Sequence, residues 1–297
     1  MSTDEVKDAA GPAGAALRVA IQGDRGSNSH MAAVEMLSAV AGGVEVVACA
    51  ASAEVVAAVV EGRVDAAVLP IENSLHGSVA EHYDLLMAQP VRIDRESLLR
   101  IRHNLIAAPG VRLEQVRWVQ SHPVALSQCR RTLARMEAES GVRAVPFYDT
   151  AGAVKHLMAV GLRDTAAVAP ELAATEYGAV VLERGIEDHA ENYTRFHLLR
   201  RVGDAPLTFG EVGLADKLSL AFAVEHRPGT LVRALQALAE VGADLTQIES
   251  RPVPGQPWEY VFYVDVRFAG PAMADAAVAA LHPHCGMVKE LGRYQAA

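Results

Sequence analysis

Four short segments carry the side chains with chemistry to offer. Gly23-Asp24-Arg25-Gly26-Ser27-Asn28-Ser29-His30 joins a short apolar run to an amphipathic one. Its glycines let the backbone approach a ligand closely, and the free N–H groups of the helix that follows favour an anion. The segment therefore reads as a carboxylate or phosphate site, or as a plain helix entry capped by Ser29. It is neither a dinucleotide fingerprint nor a P-loop. Leu69-Pro70-Ile71-Glu72-Asn73-Ser74-Leu75-His76-Gly77-Ser78 places Glu72, Asn73 and Ser74 just past a buried strand, at the edge where open α/β sheets bind ligands. Turn and cap chemistry accounts for Asn73 and Ser78 but poorly for Glu72. Ser121-His122-Pro123 repeats that placement, with Gln128 seven residues beyond Ser121 and on the same helical face. Asp149-Thr150 repeats it again, with Asp149 reading as an N-cap. In Asn192-Tyr193-Thr194-Arg195-Phe196, extended alternation puts Thr194 and Phe196 on one face and Arg195 on the other. Arg195 suits a carboxylate, either of a substrate or of a protein acid such as Glu187. Spacing alone yields a two-lobed binder of a small anion and no reaction.

The elements that must hold these segments follow from periodicity. Over 17–70 the chain alternates between short apolar runs (17–21, 44–49, 66–69) and helical patterns (29–40, and 53–61 behind a Ser52 cap), which implies a parallel sheet covered by helices. A helix over 79–88, capped by Ser78, follows, and 98–108 carries the chain into a second lobe of the same recipe. There, strands are predicted over 117–120, 143–147, 166–169 and 179–182, and helices over 123–139, 150–160 and 171–177. The extended stretch 193–201 reads as a return to the first lobe. Lobe one is thus 17–95 with 190–202, and lobe two 96–189. A Pro- and Gly-bearing linker (203–215) leads to strands over 217–224, 244–253, 259–267 and 286–294 and helices over 229–241 and 271–281. That order is βαββαβ, the ferredoxin-like arrangement.

A formal net charge of −9 argues against nucleic acid, which needs clustered Lys and Arg. No apolar run approaches the ~20 residues of a membrane span. Residues 1–16 are acidic and Ala/Gly-rich and read as a loose tail rather than a signal peptide. Cys49, Cys129 and Cys285 form no CxxC pair, which points to a reduced, cytoplasmic protein without disulfides. His282-Pro283-His284-Cys285 reads as a turn into the last strand, so no metal is expected.

In this order the segments resemble the prephenate dehydratase family. The first is similar to its Gly-x-x-Gly…Ser-His block, and Pro70-Ile71-Glu72-Asn73-Ser74…Gly77-Ser78-Val79 with Asp84-Leu85-Leu86 to its Pro-Ile-Glu-Asn-Ser signature. Ser121-His122-Pro123…Gln128-Cys129, Asp149-Thr150-Ala151 with Ala153-Val154, and Asn192-x-Thr194-Arg195-Phe196 match further blocks. The C-terminal unit, 216–297, resembles the ACT domain of the same enzymes at Arg227-Pro228-Gly229-Thr230-Leu231 and Ile248-Glu249-Ser250-Arg251-Pro252. The resemblance implies a two-lobed α/β catalytic domain like that of periplasmic binding proteins. It implies that prephenate loses water and carbon dioxide to give phenylpyruvate without a cofactor. Thr194 would assist the departing hydroxyl, Asn73 and Gln128 would orient the substrate, and Ser27, Ser29, Glu72, Ser74, Ser121, Thr150, Arg195 and Phe196 would line the cleft. L-Phenylalanine would inhibit from a dimer interface built on Pro228, Gly229, Thr230, Leu231, Glu249, Ser250, Arg251 and Pro252, in a homodimer or homotetramer. Glu191, Val124, Thr230 and Ser27-Asn28 depart from the common residues asparagine, glutamine, alanine and Thr-Phe; the last two leave effector identity and substrate detail open. No chorismate-mutase-like helical segment precedes the first strand, so one activity is expected. Arogenate as substrate, and a non-catalytic amino-acid sensor, are the rival readings.

Overall fold

The computed structural model describes residues 16–40, 42–205, 207, 215–253, 255–256 and 258–297. All but the last residue of the predicted tail, and most of the predicted linker, lie outside them.

Strands β1 (Leu17–Gln22), β2 (Val44–Cys49) and β3 (Ala66–Asn73) are parallel, with crossover helices α1 (Asn28–Met36) and α2 (Ser52–Val60). Val19, Ala20 and Ile21 have no exposed surface, as a strand covered on both faces requires. A two-residue strand β4 (Gly77–Ser78) folds back on β3, followed by helix α3 (Ala80–Ala88) and strand β5 (Val91–Arg100). The chain then leaves for a second sheet. Its elements are β6 (Asn104–Ala107), β7 (Trp118–Ser121), α4 (Pro123–Ser127), α5 (Arg130–Ser140), β8 (Arg143–Pro146), α6 (Thr150–Val160), β9 (Thr165–Ala169), α7 (Glu171–Tyr177) and β10 (Val180–Arg184). Strand β11 (Tyr193–Arg201) returns to the first sheet and lies antiparallel between β3 and β5. The first sheet runs β2-β1-β3-β11-β5, and the second β10-β6-β9-β7-β8.

The C-terminal unit comprises β12 (Lys217–Ala223), α8 (Thr230–Glu240), β13 (Asp244–Pro252), β14 (Tyr260–Arg267), α9 (Pro271–Leu281) and β15 (Met287–Tyr294). Its antiparallel order, β13-β14-β12-β15, is that of a ferredoxin-like fold. Helices α8 and α9 bury one face of this sheet, around Leu220, Phe222, Val264 and Leu281. The other face lies on the first sheet, where Ala221, Tyr263, Leu291 and Tyr294 share a core with Leu69, Leu86, Ile93 and Leu199. Lys289 Nζ donates to the carbonyls of Leu86, Met87 and Gln89 at 2.7–3.1 Å, satisfying the C-terminal end of α3.

Four expectations change. Ser52 is the first residue of α2 rather than its cap, and its hydroxyl bonds to Glu81. Ser78 does not cap α3 because its hydroxyl donates to Glu249 Oε2 at 2.8 Å. The helix over 123–139 is two helices, since the Asp188 carboxylate accepts from the amides of Arg130 and Arg131 at 3.0 Å and starts a new one. The lobe crossing set after residue 95 falls inside β5, which runs on to Arg100 because β11 pairs it as far as Tyr193↔Arg100.

Burial holds His82, His103 and His197 below the ordinary histidine range. The unfolded chain takes up protons near 6.5 that the folded chain refuses, so stability falls as pH drops through that value. The melting temperature is expected to fall steadily between about pH 7 and pH 5, which differential scanning calorimetry checks.

Candidate active site

The two lobes enclose a cavity of about 760 Å3. Pairing of β3 with β11 sets Asn73 opposite Thr194, both turned to this cavity. Asn73 Nδ2 donates to Thr194 Oγ1 at 2.9 Å, and also meets Asn192 Oδ1 at 2.8 Å and the Tyr193 carbonyl at 3.0 Å. Its Oδ1 accepts from the amides of Leu75 and His76, forming the turn. Because Thr194 Oγ1 accepts from Asn73, its own proton is left to point into the cleft.

Facing this pair across the cavity is Gln128, at the end of α4. His103 Nε2 donates to Gln128 Oε1 at 2.7 Å, and Gln128 Nε2 donates to His76 Nδ1 at 3.1 Å. Burial keeps His103 neutral by lowering its pKa. The remaining wall is built from helix entries. Ser27, rather than Ser29, is the N-cap of α1, accepting from the His30 amide at 3.4 Å. Asp149 caps α6 by accepting from the Gly152 amide at 2.6 Å, and burial raises its carboxyl pKa. Free N–H groups at such entries attract anions. Among the described residues lining the cavity, Lys155 is the one lysine or arginine; its Nζ lies 2.5 Å from Asp24 Oδ1.

The lobes touch on both sides of the cavity. Tyr148 donates to Asp24 at 2.6 Å, Arg25 pairs with Glu176 at 2.6 Å, and His76 meets Gln128 opposite. Gly23 makes this fit: its φ is +86°, and a Cβ there meets Asp149 Oδ2 at 2.6 Å. Gly23→Ala is expected to lower kcat/KM by about tenfold or more, through misplaced lobes, as steady-state kinetics would show.

Of the residues predicted from sequence, Ser27, Ser29, Asn73, Gln128, Thr150, Thr194 and Phe196 line this cavity. Four do not. Ser121 has no exposed surface and donates to the Val168 carbonyl at 2.6 Å, tying β7 to β9. Ser74 accepts from the Tyr193 amide at 3.0 Å and anchors the start of β11. Glu72 and Arg195 each neighbour a cleft residue, so strand alternation turns them to the opposite face. There Glu72 Oε2 lies 3.3 Å from Gln247 Nε2, and Arg195 bonds to Asp265 and Gln247 of the C-terminal sheet. The protein acids that Arg195 meets are Asp265, Glu72 and Glu96, whereas Glu187 accepts from the His103 amide. Lys155, Asp24, Tyr148 and His103 join the cleft unforeseen. Asp24 lies inside the Gly23–His30 segment already singled out, though not as a site residue; no local pattern marks the other three, and only the packing of one lobe on the other does.

A second cavity, about 370 Å3, lies in the C-terminal unit against Pro228, Gly229, Thr230, Leu231, Tyr260 and Phe262. Gly229, at φ +80°, is the N-cap of α8. Glu249, Ser250, Arg251 and Pro252 do not line it. Glu249 and Arg251 bond instead to Ser78 and to Asp84, the latter at 2.8 Å, while Ser250 and Pro252 are exposed.

Residues 19–203 match the family model for prephenate dehydratase. The chain is 38% identical over 291 residues to arogenate dehydratase/prephenate dehydratase 2, chloroplastic, of Arabidopsis thaliana, covering 95% of this chain and 73% of that one. The solved prephenate dehydratase of Arthrobacter aurescens, in complex with L-Phe, superposes with a TM-score of 0.80 at 31% identity, covering 94% of this chain and 90% of that one. A structure described as a novel type of quorum-quenching acylase superposes with a TM-score of 0.81 at 33% identity, covering 94% and 98%. The chain belongs to the prephenate dehydratase family.

Proposed function

We propose that residues 17–202 convert prephenate to phenylpyruvate, and that 216–297, joined by the linker 203–215, form an ACT domain through which L-phenylalanine inhibits. The observation that carries this reading is the Thr194 hydroxyl, fixed by Asn73 inside a cleft walled by helix entries. Prephenate brings two carboxylates, which the entries at Ser27, Ser29 and Thr150, with Lys155, are suited to hold. The bond from the ring to its carboxylate breaks and releases carbon dioxide. Its electron pair enters the ring, and the C–O bond on the far side breaks. The hydroxyl takes a proton and leaves as water, so the reaction balances without a cofactor. Thr194 serves as hydrogen-bond donor to that oxygen and Gln128 orients the substrate; aromatisation supplies the driving force.

The Arabidopsis relative's name includes arogenate, so the keto or amino group of the substrate is the open choice. The decisive assay follows phenylpyruvate from prephenate and phenylalanine from arogenate in parallel, with and without added L-phenylalanine. Phenylpyruvate formation suppressed by L-phenylalanine is the expected outcome. Turnover of arogenate alone moves the substrate, and no product from either leaves a sensor. A homodimer or homotetramer is supported by the open edge strand β13, which exposes Leu245 and Ile248. A cytoplasmic location is supported by the free thiols of Cys49, Cys129 and Cys285.

A second reading, acyl-amide hydrolysis, has two contacts in its favour. Ser127 Oγ lies 3.5 Å from His76 Nε2, and Asn73 Oδ1 lies 3.3 Å from His76 Nδ1. The hydrogen bonding opposes it. Gln128 donates to Nδ1, which leaves the proton on Nε2 and no base for a serine, and Ser127 already donates to the Val124 carbonyl at 2.7 Å. Incubation with an N-acyl amide is expected to release no amine.

A further inference from the structure

Strand β11 serves two parts of the molecule at once. Thr194 and Phe196 line the cleft, while Arg195 between them is buried against the C-terminal sheet. The guanidinium of Arg195 is held by Asp265 of β14 and Gln247 of β13, with Glu72 at 3.4 Å and Glu96 at 3.7 Å. Asp265 is itself fixed, accepting from Ser219 Oγ at 2.5 Å and lying 3.7 Å from Lys217 Nζ, which pairs with Glu96 at 2.9 Å. In such a buried set, removing one partner strands a charge.

The pairing of β11 with β3 slips at this same residue. Thr194 faces Asn73 and Arg195 faces Glu72, but Phe196 faces Pro70. The unpaired residue is Ile71 of β3, whose carbonyl accepts from the Val79 amide at 2.8 Å, while β11 keeps its register with β5 through Leu198. The β11 side of this pairing is held by the C-terminal sheet, through Arg195. One end of β14 supplies Tyr260 and Phe262 to the second cavity, and three residues further, roughly 10 Å along the strand, Asp265 grips Arg195. A single strand thus spans from a ligand cavity to the neighbour of Thr194.

We infer that Arg195 is a positioning residue: Asp265 and Gln247 hold the stretch of β11 that aims Thr194, and a ligand in the second cavity acts on the cleft by moving β14. The inference rests on the dehydratase reading for the role of Thr194. Its test uses the full chain carrying Asp265→Asn or Gln247→Met. Asp265→Asn is expected to lower kcat about tenfold or more with KM within about twofold. It is also expected to weaken inhibition by L-phenylalanine about tenfold while calorimetry still detects L-phenylalanine binding. Amide hydrogen exchange over 193–199 should quicken while 17–22 stays protected. A lowered melting temperature with kcat, inhibition and exchange unchanged overturns the inference, because it is the signature of a merely structural ion pair. Should the parent turn over neither substrate, the dehydratase reading fails separately. Amide exchange then still decides: quickening confined to 193–199 upholds the positioning role, and no change refutes it. If Asp265→Asn does not fold, Gln247→Met, which removes hydrogen bonds at similar volume, is read in the same way.

Discussion

Thr194→Val is expected to lower kcat with prephenate by about 10²–10⁴-fold while KM changes little. Valine keeps the branched shape of threonine in a site that is 8% exposed, and an unchanged circular dichroism spectrum and melting curve assign the loss to the hydroxyl. Its amide partner, Asn73, is left with the Tyr193 carbonyl and Asn192 Oδ1 to satisfy it, which limits secondary damage. Thr194→Ser keeps the oxygen and is expected to stay within about tenfold of the parent, because the donor survives although its rotamer is less fixed. Stopped assays of phenylpyruvate over a range of prephenate concentrations separate kcat from KM. A valine variant near parental kcat would remove Thr194 from the reaction and shift the donor role to another group in the cavity.

Gly292→Ala is expected to undo the seat of the C-terminal unit on the catalytic sheet. A Cβ at this position lies 2.2 Å from the carbonyl oxygen of Ile93 and 2.9 Å from its carbonyl carbon. Both are backbone atoms of β5, so no side chain can swing aside and the two sheets must part. The cost is about 1–3 kcal/mol or more, seen as a melting temperature lowered by several degrees. Because separation also loosens the Arg195–Asp265 contact, inhibition by L-phenylalanine should weaken in the same variant. Gly286→Ala is the matched control on the same unit, since a Cβ there meets nothing within 4 Å. Equal melting curves for both variants would show that the sheets slide to accommodate a methyl group.

The elements of this chain were legible where a single face or a single turn decides them. The patterns predicted over 193–201, 150–160 and 271–281 coincide with β11, α6 and α9, because alternation, an Asp cap and an N-terminal proline are local signals. What was not legible depends on partners remote in sequence. Ser52 and Ser78 have the right identity for caps, yet their hydroxyls are taken by Glu81 and Glu249. The helix break after Gln128 is made by Asp188 from beyond β10. In the site, alternation separated Thr194 from Arg195 correctly, but nothing in that segment says that a third sheet waits on the far face. Glu249 and Arg251 belong to a motif implying effector contact, and in the chain by itself they are docking residues held by Ser78 and Asp84.

The placement of β11 also sets an order of events at the ribosome. This strand fills the gap between β3 and β5, yet the whole second lobe is synthesised before it. At about 5–20 residues per second, the nascent first lobe waits on the order of five to twenty seconds with two open strand edges facing an empty slot. Such edges recruit any extended chain nearby. The late, long-range closure makes this a slow-folding topology. The slower the synthesis, the longer these edges stay open, and ribosome stalling within the second lobe should yield aggregates rather than a partly active fragment. Thr194 is among the last catalytic-unit residues to be made, so no cleft exists on a chain halted short of it.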